Sequence, residues 1–193
     1  VFIVMTSLVY TWFFIGDFIM GKSLCFTGHR PQKLIYGFDE QHDMCVRLKA
    51  RLRIDIEQKI NEGVDSFLCG MALGTDIWCG EIVAAFKEKY PHIRLIACIP
   101  HIGQEKSWNE DYKKRYKRLL ESSDDSIVFY DHYVRGCMQK RNRYMVEHAS
   151  HMIAVFNGSD GGTKTTVEHA QKKGLDIIIL DPDIMIRRHI RGR

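Results

Sequence analysis

Short, nearly uninterrupted apolar runs alternate along this chain with longer amphipathic segments. Residues 153–156 read Ile-Ala-Val-Phe and residues 177–180 read Ile-Ile-Ile-Leu. Runs of this kind are typical of strands that are covered on both faces of a parallel sheet. Residues 40–62 instead carry apolar side chains at helical spacing, at Cys45, Leu48, Leu52, Ile56 and Ile60. The alternation predicts an α/β fold, because helices must cover both faces of such a sheet.

The same patterns predict six strands and five helices. We expect the strands at residues 23–27, 66–69, 94–99, 126–130, 151–156 and 176–180. We expect the helices at residues 40–62, 75–90, 104–121, 136–149 and 163–173. Strands and helices follow one another in turn, which predicts a single Rossmann-like domain with a doubly wound, mainly parallel sheet flanked by helices.

The composition is that of one soluble domain. The chain has 193 residues, of which 45% are apolar and 27% charged, a balance that excludes a disordered tail or a low-complexity repeat. A net charge of +4 is only a weak argument for anionic partners. We expect the domain to occupy residues 20–182 and a basic C-terminal tail to follow at residues 183–193.

Residues 1–19 form an apolar extension. Residues 1–16 carry no charge, yet this run is shorter than the roughly 17 to 25 residues that span a bilayer, and no basic segment precedes it. Because Met20 leads directly into an apolar strand, we interpret the extension as sequence upstream of the true start. A membrane anchor is the alternative, and a membrane partner is expected only in that case.

The cysteines indicate a reducing compartment. Six cysteines occur without a Cys-x-x-Cys pair, so we expect reduced thiols that pack as small buried side chains in a cytoplasmic protein. His148 and His151 have metal-like spacing but lack the glutamate of a zincin motif. We therefore expect neither a metal nor a cofactor.

Doubly wound sheets bind their ligands at the carboxyl ends of the strands, so the loops that follow the strands carry the functional predictions. After the first strand, Gly28 permits close approach of the backbone, while His29 and Arg30 offer donors to an anion. A solvated turn is the alternative interpretation.

After the second strand, residues 69–76 open a helix whose N terminus presents unpaired N–H groups. The candidate ligand-binding residues there are Gly70, Gly74, Thr75 and Asp76, although an aspartate also suits a helix N terminus for purely electrostatic reasons.

The loop after the third strand leads into a segment with an aromatic stripe. Trp108, Tyr112 and Tyr116 recur at every fourth position. This spacing is more often a core-packing face than a platform for stacking bases, so we favour core packing.

The loop before the last predicted helix carries the sharpest signal. Backbone N–H groups, threonine hydroxyls and a lysine ammonium converge there on one helix start, at Gly161, Gly162, Thr163, Lys164 and Thr165. A phosphate fits such a cradle. The loop does not match the P-loop template, because no Gly-Lys-Ser/Thr follows at the required offset. It therefore predicts phosphate binding without the chemistry of a kinase or a GTPase.

A family resemblance becomes specific at this point. Residues 138–145, the strand that follows them and residues 161–168 resemble the Met-x-x-Arg helix and the P-G-G-x-G-T-x-x-E signature of the LOG proteins. These belong to the SLOG superfamily together with the SMF/DprA proteins. The opening at residues 27–31, the junction at 74–76 and the stretch 100–108 look more like the YpsA-type branch of that superfamily. The resemblance covers about residues 22–181.

The resemblance implies a Rossmann-like fold that binds a nucleotide or a nucleotide derivative, such as an NAD-like or ADP-ribose-like molecule, in a sensor or regulator. In the LOG proteins an Arg and a Glu serve hydrolysis of the N-glycosidic bond of a nucleoside 5′-monophosphate, and by position those roles fall on Arg141 and Glu168. The chain departs from the LOG signature at Asp160, where the signature has Pro, and at Lys164, where it has Gly.

Three functions follow as hypotheses. A nucleotide-binding sensor of the YpsA type comes first, a LOG-like phosphoribohydrolase second, and a DprA-like module that binds nucleic acid third. The mildly basic tail at residues 187–193 is the feature that suggests the nucleic-acid-binding module. Because such a tail is more often solvated, a nucleic-acid partner is not favoured. A homodimer is expected by analogy with the superfamily.

Overall fold

The structure is a computed structural model that describes residues 22–192 and the backbone of Ile3–Val4. The apolar extension at residues 1–19 and its alternative as an anchor lie outside the described residues apart from Ile3–Val4. Within the part of the chain that is described, no helix is long and apolar enough to cross a membrane.

The described residues form one sheet of eight strands with five α-helices around it. The strands are β1 (Ile3–Val4), β2 (Lys22–Gly28), β3 (Val64–Cys69), β4 (Arg94–Ile99), β5 (Asp125–Val128), β6 (His151–Val155), β7 (Asp176–Leu180) and β8 (Arg187–Ile190). The helices are α1 (Asp43–Asn61), α2 (Thr75–Phe86), α3 (Glu110–Ser122), α4 (Cys137–Glu147) and α5 (Gly162–Lys173), with a short 3-10 helix at Pro31–Lys33.

The sheet is doubly wound. Its strand order is β1-β5-β4-β3-β2-β6-β7-β8, and every neighbouring pair is parallel except β7 with β8. From β2 the chain winds outward through β3, β4 and β5, and then returns to the other side of β2 at β6. The predicted Rossmann-like fold is therefore confirmed. Its switch point lies between β2 and β6, where such folds open a crevice at the carboxyl ends of the strands.

Apolar side chains are buried on both faces of the sheet, as the uninterrupted runs predict. In β2, Leu24 and Phe26 pack with α1 and α2 on one face, while Cys25 packs with α4 and α5 on the other. The six cysteines are all buried, which confirms their expected role as small core side chains. Tyr112 and Tyr116 are buried and Trp108 packs against the same core, which confirms core packing for the aromatic stripe.

Some boundaries differ from those predicted. The helix expected at residues 104–121 begins only at Glu110, because the Asn109 side chain accepts a hydrogen bond from the Tyr112 N–H and caps the helix there. Gly103, with a φ of 79°, lies in the turns before it. The strand expected at residues 126–130 is Asp125–Val128. Arg187–Ile190, expected within a tail, adds an antiparallel edge strand to β7.

Candidate functional site

A cleft of about 430 Å³ opens at the switch point of the sheet. It lies where β2 and β3 end and where α2, α4 and α5 begin. Its described lining consists of Phe26, Thr27, Gly28, His29, Arg30, Gln32, Lys33, Ala72, Leu73, Asp76, Met138, Arg141, Asn142, Gly162 and Thr163. The fold thus brings together loops that the sequence analysis selected separately.

Close contact between β2 and α2 forms the base of the cleft. A Cβ atom at Gly28 would lie 2.6 Å from the Thr75 Cβ atom, so only glycine fits there. The Thr75 hydroxyl donates a long hydrogen bond of 3.4 Å to the His29 carbonyl. Gly74, with a φ of 84°, begins α2 and lies against Pro31. Gly74 and Thr75 therefore pack behind the cleft instead of lining it.

His29 is 2% exposed and lines the cleft. Its Nε2 atom lies 2.7 Å from the Asn157 Oδ1 atom, and Asn157 in turn donates to the Asp183 carboxylate over 2.7 Å. The other ring nitrogen, Nδ1, has no hydrogen-bond partner among the described residues. Because buried polar atoms are normally hydrogen-bonded, Nδ1 of His29 is an unusual, unsatisfied polar atom next to the cleft.

Arg141 is the buried cation of the site. Its guanidinium donates to the Gly70 carbonyl through Nη1, and the same nitrogen lies 3.7 Å from Asp76 Oδ2. A Cβ atom at Gly70 would lie 2.6 Å from both the Arg141 Cζ atom and Asp76 Oδ2. The absence of a side chain at Gly70 therefore makes room for this ion pair.

Asp76 pairs with Arg141 in surroundings that disfavour its charge. Burial raises the pKa of Asp76 above its usual value, because desolvation outweighs the opposing effects of Arg141, the Ala72 N–H and Arg30. The side chain is anchored by the Ala72 N–H, which donates to Oδ2 over 3.2 Å. A buried carboxylate with a raised pKa in a cleft is a common feature of functional sites.

Asn142 links the buried cation to α5. It accepts a hydrogen bond from Arg141 Nε over 2.7 Å and donates one to the Thr166 hydroxyl over 3.0 Å, and that hydroxyl donates to the Gly162 carbonyl over 2.7 Å. Sequence reasoning missed Asn142. The signal that could have found it is its position next to Arg141, four residues after Met138, on a helix that opens at the cleft.

The first turn of α5 forms the opposite wall. Gly161 supplies no side-chain cap, so the first N–H groups of the helix remain available. Gly162 and Thr163 line the cleft. Lys164 does not line the cleft. Its ammonium lies 2.8 Å from the Asp160 carboxylate, and this contact raises the pKa of Lys164 and lowers the pKa of Asp160. Lys33, which the sequence analysis did not select, donates to the Asp160 carbonyl over 2.7 Å and so joins the two rims.

The predicted residues divide into three groups by position. Those that line the cleft are Gly28, His29, Arg30, Asp76, Arg141, Gly162 and Thr163. Gly70, Gly74 and Thr75 pack directly behind it. Gly161, Lys164, Thr165 and Glu168 are not in the lining, and Glu168 is exposed on α5. The described residues hold no cluster of three side chains suited to a metal.

Sequence comparisons connect this chain with known proteins. The family model YpsA, described as the YspA SLOG family, matches residues 24–183. The SPbeta prophage-derived protein YoqJ of Bacillus subtilis is 37% identical over 156 residues, which cover 72% of this chain and 90% of YoqJ. UPF0398 protein BH1768 of Halalkalibacterium halodurans is 27% identical over 168 residues, which cover 83% of this chain and 88% of that protein.

A solved structure of DNA processing protein A from Helicobacter pylori, described for its mode of binding single-stranded DNA, is similar in fold. The TM-score is 0.52 at 18% sequence identity, with 83% of this chain and 65% of that chain covered. This chain therefore spans less than two thirds of that protein. At such an identity the likeness concerns the fold alone.

The resemblance found in the sequence is thus confirmed. The match at residues 24–183 contains every residue that lines the cleft, and YoqJ is matched over nine tenths of its length. The chain belongs to the YspA SLOG family.

Proposed function

We propose that this chain binds a nucleotide or a nucleotide-derived small molecule in the cleft and acts as a sensor or regulator. The observation that supports this most is that a helix N terminus without a side-chain cap and the buried Arg141 border one cleft at the switch point. Ligands of doubly wound folds bind at such a position.

The charges of the cleft favour an anion. Arg30, Lys33 and Arg141 line it together with one carboxylate, Asp76. The N–H groups and the dipole of α5 add partial positive charge at Gly162 and Thr163. Apart from the neighbouring residues and the backbone of its own helix, no heavy atom of the described residues lies within 4 Å of where a Cβ atom at Gly162 would be, so a phosphate has room to approach this backbone.

The size of the cleft also fits the proposal. Ligand sites usually enclose about 300 to 1,000 Å³, and the cleft of about 430 Å³ lies in the lower half of this range.

The hydrolase alternative draws less support from the geometry. It needs Arg141 and Glu168 on one ligand, and of these two residues only Arg141 lines the cleft. An exposed Glu168 on α5 would need a ligand that extends beyond the cleft rim. Hydrolysis remains a prediction that product analysis decides.

The nucleic-acid alternative is supported by the likeness in fold to DNA processing protein A. The basic tail that suggests it in the sequence is partly committed to other contacts. Arg187 lies 3.0 Å from the Asp55 carboxylate and His189 lies 2.5 Å from the Asp176 carboxylate. We therefore keep a small-molecule ligand as the first proposal.

Thermal unfolding of the full chain tests the proposal. The panel consists of AMP, ADP-ribose, NAD, cyclic AMP and a short single-stranded DNA. A ligand at one hundred times its dissociation constant stabilises the folded state by about 2.7 kcal/mol, which is a visible shift in Tm. We expect one of the small molecules to give this shift without the appearance of free base.

Rim variants locate the binding site. Lys33→Ala and Arg30→Ala should each reduce the ligand-induced shift, because both side chains are exposed cations of the cleft. Lys172→Ala is the matched control, since Lys172 is an exposed cation in the last turn of α5, and it should keep the shift. The absence of a shift with every nucleotide would contradict the proposal. Released base would establish the hydrolase, and a shift with DNA alone would favour the nucleic-acid module.

A further inference from the structure

Asp76 has a position that anion binding alone does not explain. It is the one carboxylate among the described residues that line the cleft, and a negative charge close to a bound phosphate would weaken binding. Burial makes the carboxylate more unfavourable still. If the Asp76 carboxylate serves binding despite its negative charge and its burial, it must contact a part of the ligand other than the phosphate.

One oxygen of Asp76 is committed to the protein. The Ala72 N–H donates to Oδ2 over 3.2 Å, and the Arg141 guanidinium lies 3.7 Å from the same atom. Both of these contacts fall on Oδ2, so among the contacts of the described residues Oδ1 is the oxygen that is left for a ligand. An ionised carboxylate only accepts hydrogen bonds, and the ligand must therefore bring a donor.

The charge balance indicates which kind of donor this is. Arg141 already lies against Asp76 as its counter-ion, so the ligand need not supply a second cation. The donor that the ligand brings to Asp76 is therefore a neutral group. The ribose hydroxyls are the neutral donors that every ribonucleotide shares, whereas the amines of the bases differ from one nucleotide to another.

A network of side-chain contacts joins the two parts of the cleft that would hold the hydroxyl and the phosphate of such a ligand. Arg141 contacts Asp76 at one end, and through Asn142 and Thr166 it is hydrogen-bonded to Gly162 at the other. The carboxylate and the N terminus of α5 are thus held on one network of side chains. Side chains that are already held by such contacts lose less conformational entropy when a ligand binds.

Building on the proposed function, we propose that Asp76 Oδ1 accepts a hydrogen bond from a ribose hydroxyl while the phosphate lies at the N terminus of α5. The cleft then selects ribonucleotides over deoxynucleotides. Asp76 is a specificity-determining residue in this arrangement, and its pairing with Arg141 holds it in place.

Calorimetric titration with three probes tests this inference. AMP, 2′-deoxy-AMP and 3′-deoxy-AMP differ only in the hydroxyls. Loss of a hydrogen bond to a charged group weakens binding by roughly ten-fold or more, so we expect at least one deoxy analogue to bind the wild-type chain about ten-fold more weakly than AMP. In Asp76→Ala, which removes both carboxylate oxygens, AMP binding should weaken and this preference should fall to less than about three-fold.

Asp43→Ala is the matched control. Asp43 also lies in the first turn of a helix, but it is exposed and pairs with Arg47 outside the cleft. This variant should keep the preference of the wild type. If Asp76→Ala does not fold, the comparison of the three probes on the wild-type chain still decides whether a hydroxyl is recognised.

The outcomes separate the inference from the proposed function. Equal binding of the three probes by the wild-type chain would overturn the inference and leave the proposed function standing. A preference that persists in folded Asp76→Ala would also overturn it, because a merely structural role of Asp76 changes stability and not the ratio of affinities. If the wild-type chain binds none of the three probes, the inference fails together with binding of mononucleotides in this cleft.

Discussion

The two walls of the cleft are built in opposite ways. On one side Gly70, Asp76 and Arg141 are buried and in mutual contact, and no spare atom fits between them. On the other side Asp160, Gly161 and Gly162 are exposed, and the first turn of α5 carries its N–H groups at the surface. The first wall is part of the protein core, whereas the second wall is exposed surface that borders the cleft. Substitutions in the first should therefore change stability as well as binding, and substitutions in the second should change binding alone.

The largest expected effect is that of Arg141→Ala. The substitution leaves the Asp76 carboxylate and the Gly70 carbonyl buried without their cationic partner, and breaking a buried ion pair destabilises a protein by about 3 to 5 kcal/mol. Urea denaturation measures the free energy of unfolding. A loss below about 1 kcal/mol would show that the packed wall is not a structural element.

A smaller loss is expected for Gly70→Ala. The added methyl group would lie 2.6 Å from the Arg141 Cζ atom, and such overpacking destabilises by about 1 to 3 kcal/mol. Gly162→Ala is the matched control on the other wall, because its methyl group would enter open space. The comparison between the walls fails if the two variants lose the same free energy of unfolding in urea.

The smallest effect is expected for Lys164→Ala. Its ammonium contacts the exposed Asp160 carboxylate and nothing in the core, and exposed ion pairs contribute little to stability. The melting temperature should stay within the error of the wild-type value. A clear drop would mean that the second wall also supports the fold.

The fold was predictable because its strands are buried on both faces. Residues 94–99 and 176–180 are strands over the whole predicted range, since a continuous apolar run leaves little choice of structure. β8 was missed because an edge strand needs only partial burial. Its sequence Arg-Arg-His-Ile has a single apolar residue, and the strand is held by backbone pairing with β7 and by side-chain contacts with Asp55 and Asp176.

The site was predictable only where a loop has an unusual local sequence. Gly28 ends β2, His29 follows it, and Gly162 begins α5 directly after such a loop, and all three line the cleft. Lys33 and Asn142 lie in ordinary sequence, and only the three-dimensional fold brings them to the cleft. Glu168 came from the resemblance to the LOG signature, and its position on the exposed side of α5 depends on how the helix is rotated, which a motif does not specify.

The central pairing of the sheet has a consequence for how this cleft forms. β2 and β6 pair in register from Leu24 with His151 to Gly28 with Val155, so more than a hundred residues of chain lie between the two strands that frame the opening. Contacts so distant in sequence form late in folding, because a large loop must close before they exist. A fragment of the chain would therefore lack the cleft. Any ligand that binds there should slow amide hydrogen exchange in β2 and β6 together, as one cooperative unit.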